Sequence, residues 1–516
     1  MTIARARRGS APRTIQIDTA RVMGRVQRHF AVIDIGSNSI RLVVYDDLSR
    51  APFPRFNEKS FCALGGAIDA DGLLSQAAID RAVDGIARFH AIATAMRVAT
   101  IHIVATEATR RAKNGGVLIA AIRARTGLDT RLLTGQEEAT YAAYGVISGF
   151  FQPKGFVGDF GGGSLEIAEL LGDRVGADLV SMPIGALPAR AMMAEGFEAA
   201  KGRIDAILRG ALTSRRTAPV FYAIGGGWRA LARVHIAMTA KPIGVVHGYD
   251  VAAEEIRALA KRIARMSPAE VAALPDAPSR RLDTLPAAAL VMSRLLKRLR
   301  PERVVFSAVG LREGWLYCQL HEDERLLDPL LEGAQAFGLP AARVAEFSAA
   351  LARWTDDLFP GETQIDRRLR LAACALTDMS WRDHEKARAM ESFRRLLRFP
   401  FIGLTHPERA FLAVTILARY GGELNEEVTR TTRDLLGPAE LRRAEVLGRA
   451  LLLGHRFSAS VPEILAQSRV RIDADAARLE MLSGERVPDG DAVLSRLRQL
   501  ARVSGVAGAE VIGAAR

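Results

Sequence analysis

The sequence predicts an α/β fold with two domains around a cleft, followed by an all-helical carboxyl-terminal domain. Short apolar stretches alternate with helical stretches from about residue 29 to residue 318, a pattern typical of α/β architecture. Strand signals fade after Trp315, and the rest of the chain has apolar residues at the three-to-four spacing of helices. At 516 residues the chain is too long for one core, so two or three domains are expected.

The predicted elements follow the apolar runs and the helical periodicity. The predicted strands are 30–35, 40–46, 99–105, 156–159, 165–171, 220–224 and 303–307. The predicted helices are 76–96, 135–148 and 284–299, with three further helical segments at 367–381, 407–422 and 439–454. These elements indicate a basic flexible tail over 1–28, domain I over 29–140, domain II over 141–319 and the helical domain over 320–516.

The charge of the chain, +13, indicates a polyanionic partner. Residues 1–28 hold seven arginines and one aspartate, so this tail adds non-specific affinity for a polyanion or is a solvated leader with no role. No basic motif interleaved with aromatic residues indicates specific binding to nucleic acid. The absence of a long apolar run or a secretory signal favours a cytoplasmic protein with no membrane span. Three widely separated cysteines indicate neither a disulfide framework nor a zinc site.

An internal repeat supplies the main chemical signal. The stretch VIDIGSNSIRLVV at 32–44 recurs in outline as VGDFGGGSLEIAEL at 157–170. Glycines let a backbone approach a ligand closely, and successive N–H groups in a turn form an anion site. Because each turn is followed by branched apolar residues, we predict strand-turn-strand units, which fit the phosphate hairpins of an actin-like (ribonuclease H-like) fold. Two related halves facing each other would place both turns at one cleft.

Asp34 and Asp159 precede the two turns and could hold Mg²⁺ through oxygen or water. The alternative is that each aspartate only caps its own turn. Two matched copies favour ligand binding. A third glycine cluster, YAIGGGWRALAR at 222–233, could line the cleft or could be a simple strand-to-helix turn.

Two further segments complete the candidate site. Residues 103–115, IVATEATRRAKNG, run from a strand into a helix start that can present Arg110 beside the cleft. Glu137 and Glu138 lie in the first turn of a helix that begins at Gly135. Such glutamates commonly serve the helix dipole. Next to two phosphate turns, the same position suits a general base that deprotonates an attacking water.

Five separated motifs, DIGSNSIRL, ATEATRRAKNG, TGQEEA, DFGGGSLEI and GLREGWL, together resemble the exopolyphosphatase and guanosine pentaphosphate phosphohydrolase family over residues 28–318. This resemblance implies an actin-like hydrolase that uses Mg²⁺ and water to remove terminal phosphate; a monovalent cation such as K⁺ is a second candidate cofactor. It also implies a homodimer.

The resemblance assigns roles residue by residue. Glu138 would be the catalytic base, and Arg110 would offset charge on the transferred phosphoryl group. Asp159, Glu166 and, more weakly, Asp34 would lie near the metal. The implied phosphate-binding residues are Gly36, Ser37, Asn38, Gly161, Gly162, Gly163, Ser164, Gly226 and Gly227.

The sequence departs from the family pattern in two places. The third loop reads Gly-Gly-Gly-Trp, which leaves the effect of Trp228 on the distal end of the site open. Family members of this length often carry a helical domain related to His-Asp metal phosphohydrolases, and here Thr377-Asp378 stands where His-Asp is expected. Loss of the histidine nitrogen predicts a domain for dimerisation or substrate binding and no second catalytic centre.

Three functions follow as hypotheses. The first is an exopolyphosphatase acting on inorganic polyphosphate, which the basic excess favours. The second is a guanosine pentaphosphate 5′-phosphohydrolase of the stringent response. The third, from another class, is an actin-like ATPase switch or regulator.

Overall fold

The computed structural model describes residues 16–213, 218–482 and 490–513. The chain divides into two compact units. The larger unit comprises residues 26–319 and 402–406, and the carboxyl-terminal unit comprises 320–401 and 407–516 together with the residues up to 25. Within these described residues, no helix is long and apolar enough to cross a membrane.

The segment before the larger unit contains the helix α1 (Thr19–Met23). Its N-cap residue, Asp18, donates its backbone N–H to Gln335 at 2.7 Å, and Arg21 forms an ion pair with Glu332. The predicted flexible tail therefore includes an ordered helix, because these polar partners hold it. Residues 1–15 of that predicted tail lie outside the described residues.

The first half of the larger unit is a twisted sheet with helices packed against it. Its strands are β1 (Phe30–Ile35), β2 (Ser39–Tyr45), β3 (Pro54–Phe61), β4 (Thr100–Ala105) and β5 (Thr130–Leu132). Its helices are α2 (Gln76–Ala95), α3 (Glu107–Arg111), α4 (Gly115–Thr126) and α5 (Gly135–Gly149). The strand order is β3-β2-β1-β4-β5, antiparallel from β1 to β3 and parallel from β1 to β5. The central strand β1 is buried on both faces, which explains its continuous apolar sequence.

The second half repeats this arrangement. Its strands are β6 (Lys154–Phe160), β7 (Leu165–Leu171), β8 (Val175–Met182), β9 (Val220–Ile224), β10 (Tyr249–Ala252) and β11 (Arg303–Phe306). Its helices are α6 (Ala186–Ala194), α7 (Phe197–Ala211), α8 (Gly226–Met238), α9 (Ala253–Ile263), α10 (Pro268–Ala272), α11 (Leu285–Leu299) and α12 (Leu311–Gln319). Over the described residues the order is β8-β7-β6-β9-β11-β10, so β6, β7, β8 and β9 repeat the pairing of β1, β2, β3 and β4.

Helices α5 and α12 connect the two halves and cross at glycines. A Cβ on Gly145 of α5 would collide with the backbone of Gly310, and a Cβ on Gly314 of α12 would collide with the Tyr141 carbonyl. The crossing therefore requires glycine at both positions. The predicted domain boundary at 140/141 falls inside α5.

The carboxyl-terminal unit is mainly helical, as predicted. Its helices are α13 (Glu322–Arg325), α14 (Pro329–Gly338), α15 (Phe347–Trp354), α16 (Gln364–Leu376), α17 (Arg388–Arg398), α18 (His406–Arg419), α19 (Glu426–Thr432), α20 (Pro438–Ser458), α21 (Pro462–Ala466) and α22 (Asp491–Ser504). The prediction of an all-helical domain missed a small sheet of β12 (Ser468–Ile472), β13 (Ala476–Met481) and β14 (Gly508–Ile512), in which β12 pairs antiparallel and β14 parallel to β13. These strands carry many arginines and acids, so their apolar signal is weak.

Candidate active site

The turn at residues 161–164 is held from one side by the start of α6. A hydrogen bond of 3.0 Å from the Gly161 N–H to the Ser164 carbonyl closes it. The carbonyl groups of its three glycines accept hydrogen bonds from the backbone N–H groups of residues 185–187. Because the C=O and N–H of one trans peptide point in opposite directions, the N–H groups of residues 162–164 point away from α6. Successive N–H groups of this kind form a concave site for an anion.

The turn at residues 36–39 is built in the same way. The carbonyl groups of Ser37 and Asn38 accept hydrogen bonds from the N–H groups of Gly65 and Ala63, at 2.7 and 3.1 Å. Both turns join antiparallel strands, as the residues after them predicted. The internal repeat is therefore a structural repeat.

The two turns face each other across the cleft of the larger unit. A Cβ on Gly162 would lie 2.9 Å from the Cβ of Ser37 and 3.7 Å from the backbone nitrogen of Asn38. This contact confirms the predicted convergence of the two turns on one cleft. A small anion held between them would meet backbone N–H groups from both halves.

Glu138 is buried in the first turn of α5. Thr134 and Glu137 form the capping box of this helix, so Glu137 serves the helix while Glu138 is directed inwards. The Glu138 carboxylate accepts a hydrogen bond from the Arg110 guanidinium, which also bonds to the Leu133 carbonyl. Burial raises the pKa of Glu138 to about 7; Arg110 opposes this shift, and the charges of Asp159 and Asp34 add to it.

Asp159 and Glu166 lie opposite each other on β6 and β7. Burial raises the pKa of Asp159 to about 6, with Arg229 opposing the shift. Burial, together with the charge of Glu138, raises the pKa of Glu166 well above its ordinary value. Ser181 donates a hydrogen bond to Glu166 at 2.9 Å. Glu138, Asp159 and Glu166 therefore repel one another and would be stabilised by a cation.

Asp34 has a different partner. The Arg312 guanidinium donates a hydrogen bond to Asp34 at 3.0 Å. The next residue, Glu313, accepts hydrogen bonds from the Tyr45 hydroxyl at 2.7 Å and from the Gly310 N–H at 2.8 Å. Arg312 and Glu313 lie in the motif GLREGWL, whose sequence alone indicates no role for them. Their contacts tie the start of α12 to β1 and β2.

The donor set suits Mg²⁺, which prefers carboxylate oxygens and usually keeps several waters. In the part of the chain that the structure describes, no three His, Cys, Asp or Glu side chains are grouped closely enough to hold a metal by themselves. Asp159 and Glu166 are the pair that would hold a hydrated ion, with phosphate oxygens completing its shell. Asp34 is engaged by Arg312 and fits this role less well.

A cationic cluster draws side chains from both halves, and two of its members lie near the acids, Arg41 near Asp34 and Arg229 near Asp159. We define it as Arg41, Lys59, Arg229, Arg280 and Arg281. Burial, followed by the positive charges of the four arginines in the cluster, lowers the pKa of Lys59 to about 8. Lys59 and Arg41 come from the first half and the other three from the second half, so cations of both halves face the same space.

The third glycine turn begins α8. Arg281 lies against it, because a Cβ on Gly226 would collide with the Arg281 guanidinium. Gly227 packs against Ala288, to which a Cβ would approach within 2.8 Å. Trp228 is fully buried, donates to the Ala288 carbonyl at 3.1 Å, and stacks on Phe160. The effect of Trp228 is thus on the core, and it does not line the cleft.

The Thr377-Asp378 position in the carboxyl-terminal unit is occupied by an ion network. Asp378 accepts hydrogen bonds from Arg343 at 2.7 Å and from Arg419 at 3.1 Å, and Thr377 contacts His455 at 3.0 Å. Burial, followed by the charges of these two arginines, lowers the pKa of His455 well below its ordinary value. Asp378 is paired with two guanidinium groups, so this donor set does not fit a metal centre.

The repeated strand order and the two converging turns define an actin-like, two-domain fold. The chain belongs to the Ppx/GppA phosphatase family, whose model matches residues 29–323; the model described as "Exopolyphosphatase, C-terminal" matches residues 330–511. It is therefore a hydrolase of the phosphatase type, as predicted.

Two curated proteins and one solved structure show what the chain is similar to. The chain is 27% identical over 306 residues to Exopolyphosphatase 1 of Mycobacterium bovis, covering 57% of this chain and 88% of that protein. It is 26% identical over 366 residues to Retrograde regulation protein 2 of Saccharomyces cerevisiae, covering 65% of this chain and 61% of the yeast protein. A crystal structure of the Aquifex aeolicus member of the Ppx/GppA family matches its fold with a TM-score of 0.50 and 24% identity, covering 57% of this chain and 98% of that one.

Proposed function

We propose that this protein is an exopolyphosphatase that removes the terminal phosphate of inorganic polyphosphate. The observation that carries the proposal is the cationic cluster beside the buried carboxylates. Arginine and lysine side chains from both halves offer a polyanion several contacts beyond the phosphate that reacts. The name of the mycobacterial relative supports the same substrate.

In the proposed reaction, Glu138 is the general base. Its raised pKa, about 7, suits proton transfer near neutral pH. Water attacks the terminal phosphorus in line with the bridging oxygen, Glu138 takes the water proton, and the P–O bond to the rest of the chain breaks. N–H groups of the two turns bind the equatorial oxygens, with Gly36, Asn38, Gly161 and Ser164 among the residues that shape them.

Arg110 is a positioning residue in this proposal. Its guanidinium donates hydrogen bonds to Glu138 and to the Leu133 carbonyl, so it orients the base and lowers the pKa of Glu138. This differs from the sequence-based expectation that Arg110 acts on the phosphoryl group directly.

Mg²⁺ is the cofactor we propose, held by Asp159 and Glu166. When bound, it would neutralise charge on the phosphate oxygens. K⁺ remains a second candidate. Dialysis against a chelator should abolish activity, and Mg²⁺ should restore it; full activity after rigorous chelation would contradict this assignment.

One assay panel tests the substrate. Phosphate release should be measured from long-chain polyphosphate, guanosine pentaphosphate and ATP, and compared by kcat/KM. We expect polyphosphate to be preferred. Preference for ATP would favour the third hypothesis, a switch or regulator, which the name of the yeast relative also suggests.

A guanosine pentaphosphate phosphohydrolase is the second candidate, and one observation favours it. Phe61 is 43% exposed and lies between two members of the cationic cluster, with Lys59 at 4.6 Å and Arg280 at 4.9 Å from its ring centre. An exposed ring beside phosphate-binding cations could stack on a base. Phe61→Ala should then lower kcat/KM for the guanosine substrate and leave polyphosphate unaffected.

We also propose that the protein forms a homodimer and is located in the cytoplasm. Light scattering on the full chain would measure its mass in solution. A monomer at micromolar concentration would contradict the dimer.

A further inference from the structure

Glu107 lies between the two candidate phosphate turns. Its side chain, 14% exposed, accepts a hydrogen bond from the Ser37 hydroxyl of the first turn at 2.9 Å. Its carboxylate also lies against the second turn, because a Cβ on Gly163 would collide with both Glu107 oxygens and with the carbon between them. A negative group of this chain thus occupies space that an anion between the turns would need.

The contact also determines what Ser37 can do. A serine hydroxyl has one proton to donate, and here that proton is directed to Glu107. The Ser37 hydroxyl can therefore bind a phosphate oxygen as a donor only after Glu107 gives up this bond. The predicted role of Ser37 as a phosphate ligand depends on Glu107.

Glu107 is held in this position by a second contact. Arg111 lies four residues further along α3, and its Nε is 3.3 Å from the other carboxylate oxygen of Glu107. The same guanidinium donates a hydrogen bond to the Gly65 carbonyl at 2.8 Å. Gly65 in turn donates its N–H to the Ser37 carbonyl, so Arg111, Glu107 and the first turn form one connected network.

We propose that Glu107 competes with the terminal phosphate for the space between the turns and for the Ser37 hydroxyl. It thereby limits the affinity for phosphate and speeds release of the phosphate product. Two like charges in a partly buried site repel strongly. A phosphate group therefore binds more weakly while the Glu107 carboxylate is in the site. This inference rests on the proposed function, but it concerns binding and can be tested without turnover.

The test compares phosphate binding to the full chain and to Glu107→Gln, Glu107→Ala and Glu254→Gln. Glu254 is a matched control, since it lies in the first turn of α9 and pairs with Arg257 three residues later, away from the turns. Affinities for inorganic phosphate and tripolyphosphate are measured by calorimetry, with and without Mg²⁺. Glu107→Gln keeps the size of the side chain, and thermal melting confirms that each variant is folded.

We expect both Glu107 variants to bind phosphate at least about fivefold more tightly than the parent, and the control to be unchanged. Product inhibition by phosphate should strengthen in parallel. In a Glu107→Ala background, Ser37→Ala should remove part of the gain, because the freed hydroxyl would then be missing. Unchanged or weaker phosphate binding in both Glu107 variants would overturn the proposal. Weaker binding only with Mg²⁺ present would also overturn it, since Glu107 would then be a metal ligand.

The outcome separates this inference from the proposed function. A parent protein that binds phosphate but releases none from polyphosphate would contradict the exopolyphosphatase assignment alone. A parent protein that hydrolyses polyphosphate while its Glu107 variants bind phosphate no better would contradict the competition alone.

Discussion

The buried carboxylate of Glu138 and the guanidinium of Arg110 form an ion pair between two different helices, α5 and α3. Glu138 has the raised pKa of a group held in a poorly solvated place, and Arg110 is its main compensating charge. The ion pair orients the carboxylate of the candidate base, whose pKa is about 7.

The first prediction concerns the base itself. Glu138→Gln keeps the shape and removes the proton acceptor, so phosphate release should fall by at least about a hundredfold. Binding of polyphosphate should change little, because the turns and the cationic cluster are intact. Steady-state turnover and equilibrium binding are the two measurements. Turnover close to that of the parent would rule out Glu138 as the base.

The second prediction is a pH dependence. A base with a pKa of about 7 is protonated as the pH falls, so kcat should decline below about pH 7. Arg110→Met removes a charge that lowers this pKa, so the declining limb should move to higher pH. The pH profile of kcat, measured at saturating substrate, checks both statements. A limb that stays in place or moves to lower pH in the variant would contradict the pairing.

The third prediction concerns Lys59. Its pKa is lowered to about 8, so its charge is lost as the pH rises through about 8, and polyphosphate affinity should fall over that interval. Lys59→Arg should abolish this fall, because arginine stays charged. Lys59→Met should raise KM several-fold at neutral pH. Lys201→Met is the control, because Lys201 is a partly exposed residue of α7 that is paired with Glu198. An identical pH dependence in the parent and in Lys59→Arg would show that another group is responsible.

The fourth prediction concerns the ion network of the carboxyl-terminal unit. Asp378 is 2% exposed and neutralises Arg343 and Arg419, so Asp378→Asn leaves buried positive charge without a counterion. The free energy of unfolding should fall by about 3 kcal/mol. Asp383→Asn, at an exposed position nearby, should have almost no effect. Denaturant unfolding measures the free energy of unfolding of both variants. Stoichiometric bound transition metal in the intact protein would contradict the view that guanidinium groups replace a metal.

Much of the larger unit could be predicted because its central strands are buried on both faces. β1, β7 and β9 have the predicted bounds, since continuous apolar sequence leaves little choice. β3, PRFNEKSF, was missed because an edge strand needs few apolar residues. The small sheet β12–β14 was missed because its strands carry many arginines and acids, which weaken their apolar signal.

The sequence indicated the glycines and acids of the candidate site, but Arg110 was its one indicated cation. Glycine turns and a first-turn glutamate are visible as local patterns. The role of Arg312 depends on Asp34, 278 residues earlier in the chain, and no local pattern reveals such a partner. Glu107 was likewise part of a quoted motif, but only the fold brings it between the two turns.

The glycine crossing of α5 and α12 links the positions of Glu138 and Arg312. Glu138 lies seven residues before Gly145, and Arg312 lies two residues before Gly314, so the candidate base and the partner of Asp34 lie on two helices that pack closely at glycines. The two helices can pack this closely only because neither position carries a side chain. A single added methyl group at this crossing would therefore displace the candidate base and Arg312, although it lies outside the cleft.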